Sequence, residues 1–175
     1  MNLNNQIAVI TGAAGGIGRA IAVRFAAEGA KVAICDVNFA AAQKTAAELN
    51  GPFPGQALAV AMDVTNELSV NDGIGLVVAQ WGTVHTLVSN AGVQIVHKTE
   101  DFPFADWKRM MAIHLDGAFL TTKSCLPHMY KQGAGSIILM GSVHSKLASP
   151  LKSAYVTAKH GLLGLCRVQI GRAHV

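Results

Sequence analysis

Ser142, Tyr155 and Lys159 are the residues of this chain whose types and spacing best suit chemistry: a hydroxyl, a phenol thirteen residues later and an amine four beyond that. A phenol has an ordinary pKa of about 10, so to act as a base near neutrality it needs a cation beside it that favours the ionised form. Lys159 is placed to supply one. Residues four apart on a helix share a face one turn up, so Tyr155 and Lys159 can project into one cleft. Ser142 follows the apolar run Ser136 to Met140 and would sit at the exit of a strand, where its hydroxyl can hold a substrate oxygen. An isolated Tyr and Lys at this spacing would be an ordinary exposed pair. The glycine-rich turn Thr11 to Gly18 upstream shifts the reading to hydride chemistry on an alcohol, because it adds a place for a nucleotide.

The elements that must position these groups follow from periodicity. Apolar runs alternate with helical stretches, the sign of βαβ units. Strands are predicted at Ile7–Ile10, Val32–Cys35, Ala57–Ala61, Thr86–Ser89 and Ile137–Met140. Helices are predicted at Gly16–Glu28, Phe39–Leu49 and Glu67–Trp81, as a pair within Phe104–Gln132, and as one opening near Ser153. Gly29 and Gly51 stand where helix C-caps are expected. The fold class is therefore α/β, a doubly wound parallel sheet of Rossmann type, for which a strand order of 3-2-1-4-5 is expected. No internal repeat, low-complexity tract or charged linker argues for a second domain, so residues 1–175 read as one dinucleotide-binding domain.

Composition agrees. The 175 residues are 51% hydrophobic and only 14% charged, apolar for this size and suited to a sheet buried on both faces. Net charge is +4, but the Lys and Arg are scattered and aromatics make up only 6%, so nucleic acid is not an expected partner. Three cysteines, Cys35, Cys125 and Cys166, lie far apart and outside any C-x-x-C, which suggests neither disulfides nor zinc. They are expected to be reduced and mostly buried. The seven histidines show no ligand spacing, so no metal is assigned. No apolar stretch reaches the roughly 18 residues of a membrane span, and Met1 to Asn5 lacks the basic start of a secretory signal, so no membrane partner and a cytoplasmic location are expected.

The first strand runs straight into Thr11-Gly12-Ala13-Ala14-Gly15-Gly16-Ile17-Gly18 and then an Ala-rich helix. Glycines there let backbone N–H groups at a helix N-terminus meet a pyrophosphate. The spacing is T-G-x-x-x-G-x-G and departs from G-x-G-x-x-G. Asp36, eighteen residues after Gly18 at the end of the second strand, can accept hydrogen bonds from both adenosine ribose hydroxyls and repel a 2′-phosphate, which favours NAD over NADP. A helix-capping or turn aspartate is the competing reading.

Thr11 to Gly18, Asp63-Val64 after the third strand, Asn90-Ala91-Gly92 after the fourth, and Ser142, Tyr155 and Lys159 together resemble the short-chain dehydrogenase/reductase family, over essentially Gln6 to Val168. The resemblance implies that Asp63 and Val64 face the adenine and that Asn90, Ala91 and Gly92 support the cofactor ribose and central sheet. It further implies that Tyr155 is the acid/base, that Lys159 also holds the nicotinamide ribose, and that the assembly is a homotetramer. Many members carry an Asn in the helix before the fifth strand, holding a water in the proton relay. Here His114 takes that place, either continuing the relay or serving as a core histidine satisfied by backbone.

Gln94, His144 and Lys152, beside Ser142 and Tyr155, are similar to the carboxylate-binding set of the bacterial D-3-hydroxybutyrate dehydrogenases within that family. A Lys and a His flanking the reacting hydroxyls would suit an anion, since desolvated donors are costly against an apolar alcohol. The implied substrate is a small hydroxy acid, here D-3-hydroxybutyrate oxidised to acetoacetate. Alternatives are another secondary alcohol, a sugar or an acyl thioester, or NAD binding without turnover.

A doubly wound sheet normally continues beyond the helix that carries Tyr155, so the last strands and the substrate lid are expected to lie outside these residues. Ile170 to Val175 breaks the apolar pattern of Gly161 to Val168 and is expected to be a non-native tail, resembling translated adapter DNA.

Overall fold

The computed structural model describes residues 3–172, with side chains described as far as Gln169. Five strands form one parallel sheet: β1 Ile7–Thr11, β2 Lys31–Asp36, β3 Ala57–Ala61, β4 Thr86–Ser89 and β5 Ser136–Leu139. Their order is β3-β2-β1-β4-β5, as expected for this fold class. β1 is buried along its whole length, which is why Ile-Ala-Val-Ile reads as a continuous apolar run with no polar alternation.

Each strand divides its side chains between the two faces. Ala8, Ile10, Val32 and Ile34 meet Ala22 and Ala26 of α1 (Gly16–Ala27) and Ala42, Ala46 and Leu49 of α2 (Phe39–Asn50). On the opposite face Val9, Ala33, Cys35 and Leu87 meet Val70, Ile74 and Val77 of α3 (Glu67–Trp81) and Cys125 and Met129 of α5 (Gly117–Gln132). Alanines under α1 and α2 bring those helices close to the sheet, while larger β-branched residues fill the other side.

Several boundaries differ from the sequence reading by one or two residues. β2 starts at Lys31 because that residue pairs with Ile7 although its side chain is exposed. β5 begins at Ser136 for the same reason, paired with Thr86. Gly29 adopts φ 93° after α1, as a helix-ending glycine should. Gly51 instead stays right-handed at φ −60°, and further left-handed helix ends fall at Gly82 and Gly133. The helix pair within Phe104–Gln132 is α4 (Phe104–Met111) running into α5 through a π-helical turn, Ala112–Asp116. The last helix, α6, spans Ser153–Arg172 and packs against α4, the π-turn and the loop after β5. Of the tail expected to be non-native, Ala173 to Val175 and the side chains of Ile170 to Arg172 lie outside the described residues.

The site depends on how closely α1 approaches the strand ends. A Cβ at Gly18 would stand 2.4 Å from the Gly12 carbonyl oxygen and 2.7 Å from Asn90 Nδ2. Gly18→Ala should therefore cost about 1–3 kcal/mol as overpacking. Gly75, exposed in α3 with open space around it, should respond in the opposite direction, Gly75→Ala stabilising by about 0.5–1 kcal/mol. Urea unfolding of both variants checks the pair of signs.

Candidate active site

The winding order of the parallel sheet reverses between β1 and β4, and the two strand ends are stitched together there. The buried Thr11 hydroxyl accepts from the backbone N–H groups of Asn90 and Ala91, both at 3.0 Å. In return Asn90 Nδ2 donates to the carbonyls of Thr11 and Gly12 at 2.9 and 3.3 Å. Gly12, at φ 62°, turns the chain out of β1 in the left-handed region. A cleft of about 780 Å³ opens above this point, lined by Gly12, Gly15, Gly16 and Ile17 on one side and by Asn90, Ala91 and Gly92 on the other.

The glycine turn delivers α1 with its first N–H groups uncovered. Gly15 is the N-cap and offers no capping side chain, and no acidic residue lies in the first turn. Helix dipole and free donors therefore face the cleft together, a natural seat for an anion. The turn is pinned from behind: Ala14 N–H donates to Asp36 Oδ2 at 3.1 Å, and Thr45 Oγ1 donates to the Ala14 carbonyl at 3.0 Å. Asp36 also accepts from Asn38 N–H at 3.0 Å, while the N-cap of α2 is Asn38, whose side chain accepts from Ala41 N–H. Asp36 is thus not the helix cap. Its carboxylate is oriented at the cleft wall with lone pairs to spare.

Asp63 and Val64 line the cleft at the end of β3. Asp63 Oδ1 accepts from the N–H and hydroxyl of Thr65, at 2.9 and 2.7 Å, so part of its capacity is spent on its own turn. These residues, with the glycine turn, Asp36 and Asn90 to Gly92, fit a dinucleotide by the chemistry of the donors and acceptors they present.

Ser142, Tyr155 and Lys159 gather beside this cleft around β5 and α6. Ser142 follows β5 and caps a short turn, Val143–Ser145; its Oγ accepts from His144 N–H at 3.2 Å, leaving its own hydrogen to donate. Lys159 is only 5% exposed, and its Nζ donates to the Met140 carbonyl at 2.6 Å. That ammonium lies 5.5 Å from the Tyr155 ring centroid. Burial pulls the Lys159 pKa below its ordinary value.

The half-buried Tyr155 ring stands between two imidazoles, edge-to-face at 5.5 Å from His114 and 6.0 Å from His144. His144 Nδ1 lies 3.2 Å from the Leu147 carbonyl, which places its hydrogen there and leaves Nε2 as an acceptor 3.5 Å from Lys152 Nζ. Ser142, His144, Lys152, Tyr155, Lys159 and His114 thus form one constellation. Gln94 is exposed, and among the described residues no hydrogen bond joins it to His144 or Lys152. Its segment does meet theirs through backbone, His97 N–H donating to the Leu151 carbonyl at 3.1 Å.

The cleft also has lining residues that sequence reasoning missed: Val37, Thr65, Arg109 and Ile113. Arg109 was legible in principle, one helical turn before Ile113 on the stretch that carries His114. Cys35 and Cys125 are buried, which pushes both thiols up, Cys125 to about 12; Cys166 is half-buried. Among the described residues no three His, Cys, Asp or Glu converge as metal ligands, and no helix is long and apolar enough to cross a membrane.

Comparison with known proteins places this geometry. The family model described as short chain dehydrogenase matches residues 6–170, and the chain belongs to that family. It is 41% identical to the D-beta-hydroxybutyrate dehydrogenase of Rhizobium meliloti (strain 1021), over 93% of this chain and 63% of that protein. It is 37% identical to the 2-(R)-hydroxypropyl-CoM dehydrogenase of Xanthobacter autotrophicus, over 93% of this chain and 66% of that one. Against the D-threitol dehydrogenase of Mycolicibacterium smegmatis it is 36% identical, over 95% and 64%. The chain therefore spans just under two thirds of the length of these curated relatives.

His114 ties the site to acid stability. Burial lowers its pKa, the Lys159 charge lowers it further, and the Val93 hydrogen bond opposes both. Between that lowered value and the ordinary 6.5, the unfolded chain binds a proton that the native ring does not, so native stability should fall as pH drops below 6.5. Its ionisable neighbours on α6 are Tyr155 and Lys159. Urea midpoints from pH 7 downward should show a shallower fall in His114→Asn than in the parent.

Proposed function

We propose that this chain carries the cofactor site and catalytic residues of an NAD-dependent dehydrogenase that reversibly oxidises D-3-hydroxybutyrate to acetoacetate. The observation that carries the reading is the Lys152–His144 pair set edge-on to Tyr155 in one loop, a cation and a polarised imidazole beside the reacting phenol. The likeness to D-beta-hydroxybutyrate dehydrogenases of two organisms supports it, at 41% and 38% identity.

Thr11, Gly12, Gly16, Ile17, Gly18, Asp36, Asp63, Val64, Asn90, Ala91 and Gly92 hold NAD, with Tyr155 and Lys159 completing the nicotinamide end. Bound there, the nicotinamide supplies the hydride acceptor. Ser142 donates its free hydrogen to the substrate oxygen and orients it. Tyr155 takes the hydroxyl proton, and the Lys159 ammonium favours the phenolate that does so. Lys152, His144 and Gln94 receive the carboxylate, Lys152 and Gln94 as donors and His144 by orienting the Lys152 ammonium through Nε2. The working protein is a cytoplasmic homotetramer.

Two measurements on the full-length protein test this. The carboxylate subsite predicts that 3-hydroxybutyrate outperforms 2-butanol in kcat/KM by at least about tenfold, because the Lys152 ammonium gains a charged partner only from the acid. Lys152→Ala should erase most of that preference while sparing NADH binding, and Tyr155→Phe should cut kcat by about 10² to 10⁴. A parent enzyme with no preference for the acid leaves a dehydrogenase of other secondary alcohols, in keeping with the hydroxypropyl-CoM and threitol relatives.

For the cofactor, Asp36 would meet a 2′-phosphate as a like charge, so NAD should exceed NADP in kcat/KM, and Asp36→Ala should narrow the gap by admitting NADP. Equal efficiencies in the parent would refute this assignment.

A further inference from the structure

His114 is held on three sides, and its surroundings decide which nitrogen carries hydrogen. Nε2 lies 2.7 Å from the Val93 carbonyl oxygen and 3.3 Å from the Val93 backbone N–H. One ring nitrogen cannot donate to the first and accept from the second at once, and the shorter contact prevails, so Nε2 bears the hydrogen. Nδ1 is fully buried with no partner among the described residues. A hydrogen placed on it would be a buried donor without an acceptor, which is costly.

The ring edge then presses on the backbone of Gly92. A Cβ added there would stand 2.6 Å from His114 Cε1, 3.1 Å from Nδ1 and 3.5 Å from Nε2. Unlike Gly12, Gly92 does not lie at positive φ, so nothing in its own backbone conformation calls for glycine. The imidazole is what excludes a side chain at this position. On its third side the same ring meets Tyr155 edge-to-face at 5.5 Å. The π-turn Ala112–Asp116 places His114 between the end of β4 and α6.

From this we propose that His114 is a positioning residue: locked as the Nε2–H tautomer on the Val93 carbonyl, its ring sets the Gly92–Val93 backbone against Tyr155, and Gly92 and His114 form a matched pair. The pairing requires neither cofactor nor substrate.

Two experiments on the full-length protein, without ligand, test it. Nitrogen-15 NMR at neutral pH should show His114 with hydrogen on Nε2 and a bare Nδ1; hydrogen on Nδ1, or on both nitrogens, overturns the proposal. The second is a thermal double-mutant cycle. Gly92→Ala should lower Tm by roughly 4 °C or more beside His114, and by less than about 1 °C in the His114→Asn background. Equal losses in both backgrounds overturn the pairing. If Gly92→Ala alone does not fold, recovery of a cooperative transition in the double variant supports it, and failure to recover refutes it. Both readouts are taken without ligand, so loss of NADH binding or turnover would sink the functional proposal and leave this one standing.

Discussion

The structure turns on the stitch between β1 and β4. Where a parallel sheet reverses its winding order, helices leave to opposite faces and a crevice opens beyond the strand ends. Left alone, the backbone groups there would have no strand partner. Thr11 and Asn90 resolve this with four hydrogen bonds, the threonine oxygen serving two N–H groups and the asparagine amide serving two carbonyls. Once those ends are joined, Gly12 can turn out of β1 and Gly18 can lie against Asn90, and α1 is delivered with free donors over the cleft. The anion seat therefore arises from satisfying the backbone, since the same groups that close the sheet fix where the helix begins.

A second constraint is the buried Lys159. An ammonium 5% exposed needs oxygen, and the Met140 carbonyl just past β5 provides it. That bond ties α6 to the end of β5, so the placement of Tyr155, one turn earlier on α6, is coupled to the strand that leads into Ser142. The lysine thus holds the phenol and the serine to a common reference, and losing it would disturb geometry as well as charge.

Much of this was legible in the sequence because it comes from periodicity and spacing. Five apolar runs became five strands, and T-G-x-x-x-G-x-G placed α1 and the cleft. The features that escaped depend on contacts between distant residues. Nothing local tells that Asp36 will also accept the Ala14 N–H, that Thr45 will brace the same turn, or that Arg109 will line the cleft. Gly51 and Gly82 look alike in sequence, yet only Gly82 takes the left-handed turn, because the path of the chain leaving each helix decides its ending. Joining α4 to α5 through a π-turn was equally hidden: Ala112–Asp116 has no composition of its own, and one extra residue per turn is what re-aims His114.

The region beyond β5 is built differently from the cleft. Around the cleft, side chains bond to strand ends and helix starts, so the geometry is inherited from the sheet. Beyond β5 the parts hold mainly each other: Ser142 caps the turn that carries His144, and the His97 N–H meets the Leu151 carbonyl across two loops. Leu151 itself sits at φ 65°, a left-handed conformation that costs a non-glycine residue about 1–2 kcal/mol, immediately before Lys152. A conformation of that kind persists only where the surroundings hold it. Here the His97 N–H bonds the Leu151 carbonyl from the neighbouring loop. Loops braced on one another can be exchanged without disturbing the sheet, which is the physical reason that relatives named for a hydroxy acid, a coenzyme M conjugate and a sugar alcohol can share one frame.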